Sequence, residues 1–184
     1  MTTRESILKS LQSTAIQTME NFGIQAGYDY LKKFGISSLI EKQEDVEGKV
    51  IGDLSLSMAV GDMVDGVTNL DLTAAYAALA NEGKSVSPIF YTKLVDRTGN
   101  ILFKNEQKQS QILRKSTAWL MTNVLQEYVE NGEGKAADLK IEKLAAAGYG
   151  GSSAGNKDQW FEGYTPFYTA GIWSGYDDEK RIAT

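Results

Sequence analysis

The sequence predicts an α+β domain in which a helical lobe packs with an antiparallel sheet, and three observations carry that expectation. Apolar residues recur at helical spacing through much of residues 1 to 83. A β-rich pair of runs, PIFYTKLVD and NILFKN, follows around a turn at Asp96-Arg97-Thr98-Gly99. The chain then ends in GYGGSS, DQWFEGYTP and FYTAGIWSGYD, three short runs broken by Asn156-Lys157 and Thr165-Pro166. Helices first and antiparallel strands last is an α+β order.

Taken in order, residues 3 to 20 place Ile7, Leu8, Leu11, Ala15, Ile16 and Met19 on a helical stripe, with Thr3 as N-cap and Gly23 as the stop. A second helix over 25 to 34 gathers Ala26, Tyr30, Leu31 and Phe34 and ends at Gly35. The run EKQEDVEGK, 41 to 49, is charged and turn-rich and reads as a solvated loop. Thr68 followed by Asp71 is a capping-box signal for a helix running to about Asn81, closed by Gly83. The 88 to 105 segment reads as a hairpin. Residues 115 to 131 form an amphipathic helix with Trp119, Leu120, Val124 and Tyr128 at core spacing. The division expected is a helical lobe over 1–83 and a segment over 84–184 holding the hairpin, one helix and the last sheet, together one domain of 184 residues.

Composition narrows the chemistry. A net charge of -5 gives no basic face for a phosphate backbone, so nucleic acid is not expected as a partner. There is no cysteine and no histidine, which removes thiolate nucleophiles, imidazole or thiolate metal sites and every histidine-based triad. No cofactor and no metal is expected. Asp62, Asp65 and Asp71 follow no cation-loop spacing. Glu127, Glu130 and Glu133 read as a solvated helix face, and alternation puts about half of the aromatic group Trp160, Phe161, Tyr164, Phe167, Tyr168, Trp173 and Tyr176 in the core. The first residues, MTTRESILKSLQS, have no apolar leader, and no run approaches the about 18 apolar residues of a membrane span.

The order of segments GVTNLDLTAAYAALANEGKSVSPIFYTKLVDRTGNILF, STAWLMTNVLQEYVENGEGKAA and NKDQWFEGYTPFYTAGIWSGYD resembles the transpeptidase domain of class A penicillin-binding proteins, from about Ile7 to Asp177. The resemblance implies a fold of the serine D,D-transpeptidase and β-lactamase-like superfamily, here lacking the first strands, the SxxK helix and the C-terminal helix. It also implies a chemistry: a serine acyltransferase that cross-links peptidoglycan stem peptides, is acylated by β-lactams and works through SxxK, SxN and KTG motifs. Family members are extracytoplasmic and membrane-anchored. This chain, without leader or anchor, is expected to be soluble as expressed.

Carried over position by position, the resemblance puts Ser10-Leu11-Gln12 on SxN, with glutamine where asparagine is expected, and Tyr149-Gly150-Gly151-Ser152 on KTG and the hydroxyl after it. Tyrosine is uncharged at neutral pH, so the lysine charge that would attract a substrate carboxylate is gone. Ser6-Ile7-Leu8-Lys9 matches SxxK literally, but Ser6 falls where the SxN helix of the family has a small packing residue. The expected function is therefore a transpeptidase-like domain without acylating activity. The alternatives are a non-catalytic module for peptide or glycan stems and a designed scaffold retaining only the fold. Partners implied are a stem peptide or a β-lactam, and an uncovered sheet edge adds self-association or a complementing fragment.

Overall fold

The computed structural model describes residues 2–131, 144–178 and 180–182. Helices α1 (Thr3–Leu8), α2 (Gln12–Phe22) and α3 (Ile24–Phe34) come first, followed by a two-residue strand pair, β1 (Gln43–Glu44) with β2 (Val50–Ile51), and a 3-10 turn, Leu56–Val60. Then come α4 (Asn69–Ala80), β3 (Lys84–Val86), β4 (Lys93–Val95), β5 (Ile101–Lys104), β6 (Gln109–Gln111) and α5 (Lys115–Asn131). The last elements are β7 (Ala147–Ser152), β8 (Asp158–Tyr164) and β9 (Thr169–Gly175).

The principal sheet has the order β7-β8-β9, antiparallel throughout, so β8 is central and β7 and β9 are its edges among the described residues. Helices α4 and α5 pack on one face of it. Ala147, Tyr149, Glu162, Tyr164 and Gly171 share that face by period-two alternation and register. Leu125 of α5 packs with Ala147 and Tyr164 of the sheet, Tyr128 and Val129 form a second cluster, Tyr149 packs against both, and Ala75 and Ala78 of α4 and Ala118 of α5 are buried as well. Alanines at the helix contacts let α4 and α5 approach the sheet closely. The Tyr164 hydroxyl is hydrogen-bonded to Thr122 of α5 at 2.9 Å, which removes the cost of burying it. Tyr28 of α3, Ile36 just after it and Met58 of the 3-10 turn are also buried.

Polar side chains lock the loops. Buried Asp53 accepts the backbone N–H of Ile40 at 2.8 Å and of Val64 at 2.7 Å, tying two connections to one carboxylate. Thr68 caps α4 by accepting Asp71 N–H at 3.1 Å. The Asp71 carboxylate accepts Ser37 N–H and its hydroxyl, so the residue that opens α4 also fixes the exit from α3.

Several expectations are corrected. The single helix over 3 to 20 is two helices, and its N-cap is Thr2, which forms a capping box with Glu5, not Thr3. The 41 to 49 loop contributes β1, which pairs with β2 around a turn whose Asp45 carboxylate accepts Glu47 and Lys49 N–H. On α5 the buried stripe is rotated: Val124 and Tyr128 are inside, but Trp119 is 64% and Leu120 54% exposed, because Ala118 makes the inward contact. Of the C-terminal aromatics Tyr164 alone is fully buried, whereas Phe167, Tyr168, Trp173 and Tyr176 are exposed. Glu127 pairs with Arg4 of α1, Glu130 accepts from Gln126, and Glu133 lies outside the described residues.

Candidate functional site

The break between α1 and α2 creates the first half of the site. Ser10 has a left-handed backbone, φ 51°, directly after the C-cap Lys9. Ser10 N–H returns to the Ile7 carbonyl and Leu11 N–H to the Ser6 carbonyl, each at 3.0 Å. This is a Schellman closure in which serine occupies the position that glycine usually takes, and a non-glycine residue there carries a local conformational cost. The turn aims the Ser10 side chain at β7 instead of along a continuous helix.

The second half is Tyr149, the third residue of β7. Its hydroxyl donates to Ser10 Oγ at 2.7 Å, with the Ile7 carbonyl at 3.4 Å as a weaker acceptor. Its ring packs on Tyr128 of α5, centroid to centroid 4.6 Å. The Tyr128 hydroxyl is pushed up by burial and then by Tyr149, while hydrogen bonding to the Gly150 backbone and to Ser10 opposes the shift. Ser10, Tyr128 and Tyr149 thus form one hydroxyl cluster drawn from three elements 139 residues apart at the extremes.

The glycines beside it serve two ends. A side chain on Gly148 would strike the Phe161 ring and the Glu162 carbonyl, both 2.7 Å from the Cβ position, so that glycine is required by the sheet's own packing. Gly151 faces open space, where nothing in the chain forbids a side chain. Gln12 opens α2 and is exposed. Ser6 is 6% exposed and its hydroxyl donates to the Thr2 carbonyl at 3.0 Å, whereas Lys9 is exposed at the helix end. The literal SxxK match is therefore a buried helix serine and a solvent-facing lysine, in keeping with its reading as a packing position.

A carboxyl lies on the same face of the sheet, directly across from Tyr149. Glu162 is 2% exposed, and neither carboxyl oxygen has a hydrogen-bond partner among the described residues. Burial pushes the group up to about 7, with the nearby Thr73 hydroxyl opposing the shift. Thr73, however, donates its proton to the Asn69 carbonyl at 2.7 Å, so we count Glu162 as unsatisfied by that hydroxyl. Oxygens of Glu162, Thr73 and Asn69 converge over Gly171, where an added methyl group would collide with all three. Tyr76 of α4 is driven upward by burial first and by the Glu162 charge second. Three oxygens meet there, and burial favours the protonated form of the carboxyl.

Over residues 1–173 the sequence matches the family model described as the penicillin binding protein transpeptidase domain. The chain belongs to that transpeptidase family. Among curated relatives, penicillin-binding protein 1A of Clostridium tetani is 31% identical over 179 residues, an alignment covering 97% of this chain and 22% of that protein. The chain thus spans about a fifth of that relative's length. Among solved structures, penicillin-binding protein PonA1 of Mycobacterium tuberculosis superposes with a TM-score of 0.76 at 25% identity, covering 97% of this chain and 48% of that one. Penicillin-binding protein 1A of Haemophilus influenzae gives a TM-score of 0.75 at 21% identity, covering 99% and 31%.

Ser10 and Tyr149, which the resemblance leads one to expect at SxN and KTG, are hydrogen-bonded to one another, whereas Ser6 bonds to the Thr2 carbonyl and Lys9 and Gln12 are exposed. Two residues escaped sequence reasoning. Tyr128 reads as core by its spacing and is core, yet its hydroxyl reaches the cluster. Glu162 carries a readable signal, since in DQWFEGYTP period two puts it on the same face as buried Tyr164. Among the described residues no helix is long and apolar enough to cross a membrane.

Proposed function

We propose that this chain is a transpeptidase-like domain that keeps the substrate-side wall of the cleft and does not form an acyl-enzyme by itself. The observation that carries the reading is the 2.7 Å hydrogen bond between Ser10 and Tyr149. It joins the two aligned motifs through neutral hydroxyls, at a place where the family alignment calls for a lysine. Serine acylation needs a base or a depressed hydroxyl pKa beside the nucleophile. Ser6 donates to a backbone carbonyl, and no lysine is hydrogen-bonded to Ser6 or Ser10 among the described residues.

Labelling with a fluorescent penicillin, resolved on a denaturing gel, tests this. No covalent band is expected at any concentration. A band that disappears in Ser6→Ala, or in Ser10→Ala, would restore an enzyme.

Non-covalent recognition of a stem peptide is the second reading, favoured by β7 being an edge strand among the described residues and by the open space at Gly151. An extended peptide can pair with such an edge through backbone hydrogen bonds. A saturable shift on titration with a stem-peptide mimic supports it, and a flat titration leaves a scaffold. The opposite edge, β9, exposes Ile172 at 64% and suits a strand from a second copy or a complementing fragment. Light scattering that reports only monomer at high concentration removes the self-association part.

A further inference from the structure

Two short hairpins away from the cleft carry opposite charge and exposed apolar side chains. β4 and β5 pair with one another and with no third strand among the described residues. An isolated two-stranded hairpin is marginally stable in water. This one nonetheless exposes the cross-strand pairs Leu94–Phe103 and Val95–Ile101, and Phe90 at its base is 83% exposed. Successive residues of β4 point to opposite faces, so apolar groups lie on both.

Its charges follow a pattern as well. Lys93 stands directly opposite Lys104, a like-charge pairing that costs stability until an anion joins it. Arg97 adds a third cation at the tip, and the one carboxylate within 88–105, Asp96, is taken up by Thr98 and Asn100 of its own turn. Glu106, just beyond, reaches Lys104 at 3.3 Å, an exposed pair of small worth. Three cations against one carboxylate make this hairpin basic on a chain of net charge -5.

The β1–β2 hairpin is its complement. Over 41–51 the acids Glu41, Glu44, Asp45 and Glu47 outnumber Lys42 and Lys49, and Val46 and Val50 are exposed. An open hollow of about 340 Å³ lies there, lined by Glu41, Lys42, Val50, Ile51, Gly52 and Leu54. Within one chain the two hairpins form separate sheets. We propose that the β4–β5 hairpin of one copy of this chain docks on the β1–β2 hairpin of a second copy, with the Leu94–Phe103 face over Val50 and Leu54 and the Lys93–Lys104 pair against Glu41 and Glu44. The apolar groups supply the burial and the charges fix the register. A second copy fits because both halves of the contact, with equal and opposite surpluses of charge, are present on one chain. A lipid surface fits less well, since the tip that would enter it first, Asp96 to Asn100, is polar throughout.

Sedimentation equilibrium of the 184-residue chain, run over a wide range of concentration at low and at high salt, reads the contact directly. Mass should rise with concentration at low salt, and high salt should weaken the association about tenfold, the scale of a few exposed ion pairs lost together. Two variants fix the surfaces: Lys93→Glu with Lys104→Glu in one chain, and Glu41→Lys with Glu44→Lys in another. Each should be monomeric alone, and mixing them should restore association, because an acidic β4–β5 hairpin then meets a basic β1–β2 hairpin. Strand pairing at β9 would be indifferent to both changes, so the two modes of self-association are told apart. A monomer at every concentration in low salt overturns the proposal, as does association that high salt leaves unchanged, or a mixture of folded variants that stays monomeric. Retention of a monomeric chain by phosphatidylglycerol vesicles overturns it too, and assigns the hairpin to a lipid surface. Since the salt comparison is made on the unaltered chain, it does not depend on either variant folding.

Discussion

Tyr149 and Glu162 stand directly opposite one another on β7 and β8, both turned toward the helices, one ending in a hydroxyl bonded to Ser10 and the other in a carboxyl with no hydrogen-bond partner among the described residues. The contrast links the cleft to the core. Opposed residues on an antiparallel pair have Cβ atoms about 4.5–5.5 Å apart, near enough for a change at one to be felt at the other. The groups that act on buried Tyr76 of α4 are Glu162 and the tyrosines Tyr149, Tyr164 and Tyr128, so the carboxyl and these phenols share one neighbourhood.

Stability should therefore fall as pH rises through the range between the unfolded and folded values for Glu162. The carboxyl is pushed up to about 7 in the fold from an ordinary 4.5. Below 4.5 both states hold the proton and its contribution is fully present. Between 4.5 and 7 the folded state keeps the proton that the unfolded state has released, so stability declines, and above 7 the contribution is gone. The full change is about 3 kcal/mol at ~1.4 kcal/mol per pH unit. Urea midpoints at pH 5 and pH 8 measure it, and Glu162→Gln should flatten most of the slope. A pH-independent midpoint in the unmodified chain would mean that the carboxyl is satisfied.

Tyr149→Lys should couple to Glu162 and not act on the cleft alone. An ammonium placed opposite the carboxyl favours its ionised form, so the pH slope should shrink as the pair forms. A double-mutant cycle of Tyr149→Lys and Glu162→Gln should give an interaction of about 1–3 kcal/mol at pH 8. Strict additivity would show that the lysine points elsewhere.

What was legible follows the distribution of turn chemistry. Asp96-Arg97-Thr98-Gly99, Thr165-Pro166, Gly35 and Thr68 mark their turns and caps in the sequence, and the elements between them fall where expected. The break at Ser10 was not legible because no glycine or proline announces it: the Schellman closure uses serine, and the apolar stripe runs through it unbroken. The rotation of α5 was hidden for another reason. Ala118 and Trp119 are both apolar, and only the close approach of the helix to the sheet selects the small residue for the inside. The Ser10–Tyr149 contact was legible only through alignment to known motifs, since nothing in either segment alone points to the other.

The strain at Ser10 predicts an ordering of variants. Ser10→Ala removes the bond to Tyr149 and keeps the left-handed backbone, which costs about 1 kcal/mol for the lost hydrogen bond. Ser10→Gly removes the same bond but relieves the backbone, by roughly 1 kcal/mol. The glycine variant should therefore unfold at a higher urea concentration than the alanine variant. The reverse order would place Ser10 outside the left-handed region.

Glycine-to-alanine changes at two positions of the same sheet separate internal packing from room left for a ligand. At 171 the new methyl group would collide with Thr73 Oγ1, Glu162 Oε1 and Asn69 Oδ1, all held by α4 or by the central strand. Overpacking of this kind costs about 1–3 kcal/mol, because either α4 must move off β9 or the carboxyl must leave its site. At 151 the methyl group meets nothing within 4 Å, so stability should change by less than about 1 kcal/mol, while anything that approaches β7 from outside loses that space. Denaturation curves for Gly171→Ala and Gly151→Ala, paired with peptide titration of the second, check both halves. A Gly171→Ala protein as stable as the unmodified chain would mean that α4 sits farther from the sheet than described. A Gly151→Ala protein that is stable and binds peptide unchanged would move the ligand away from the β7 edge.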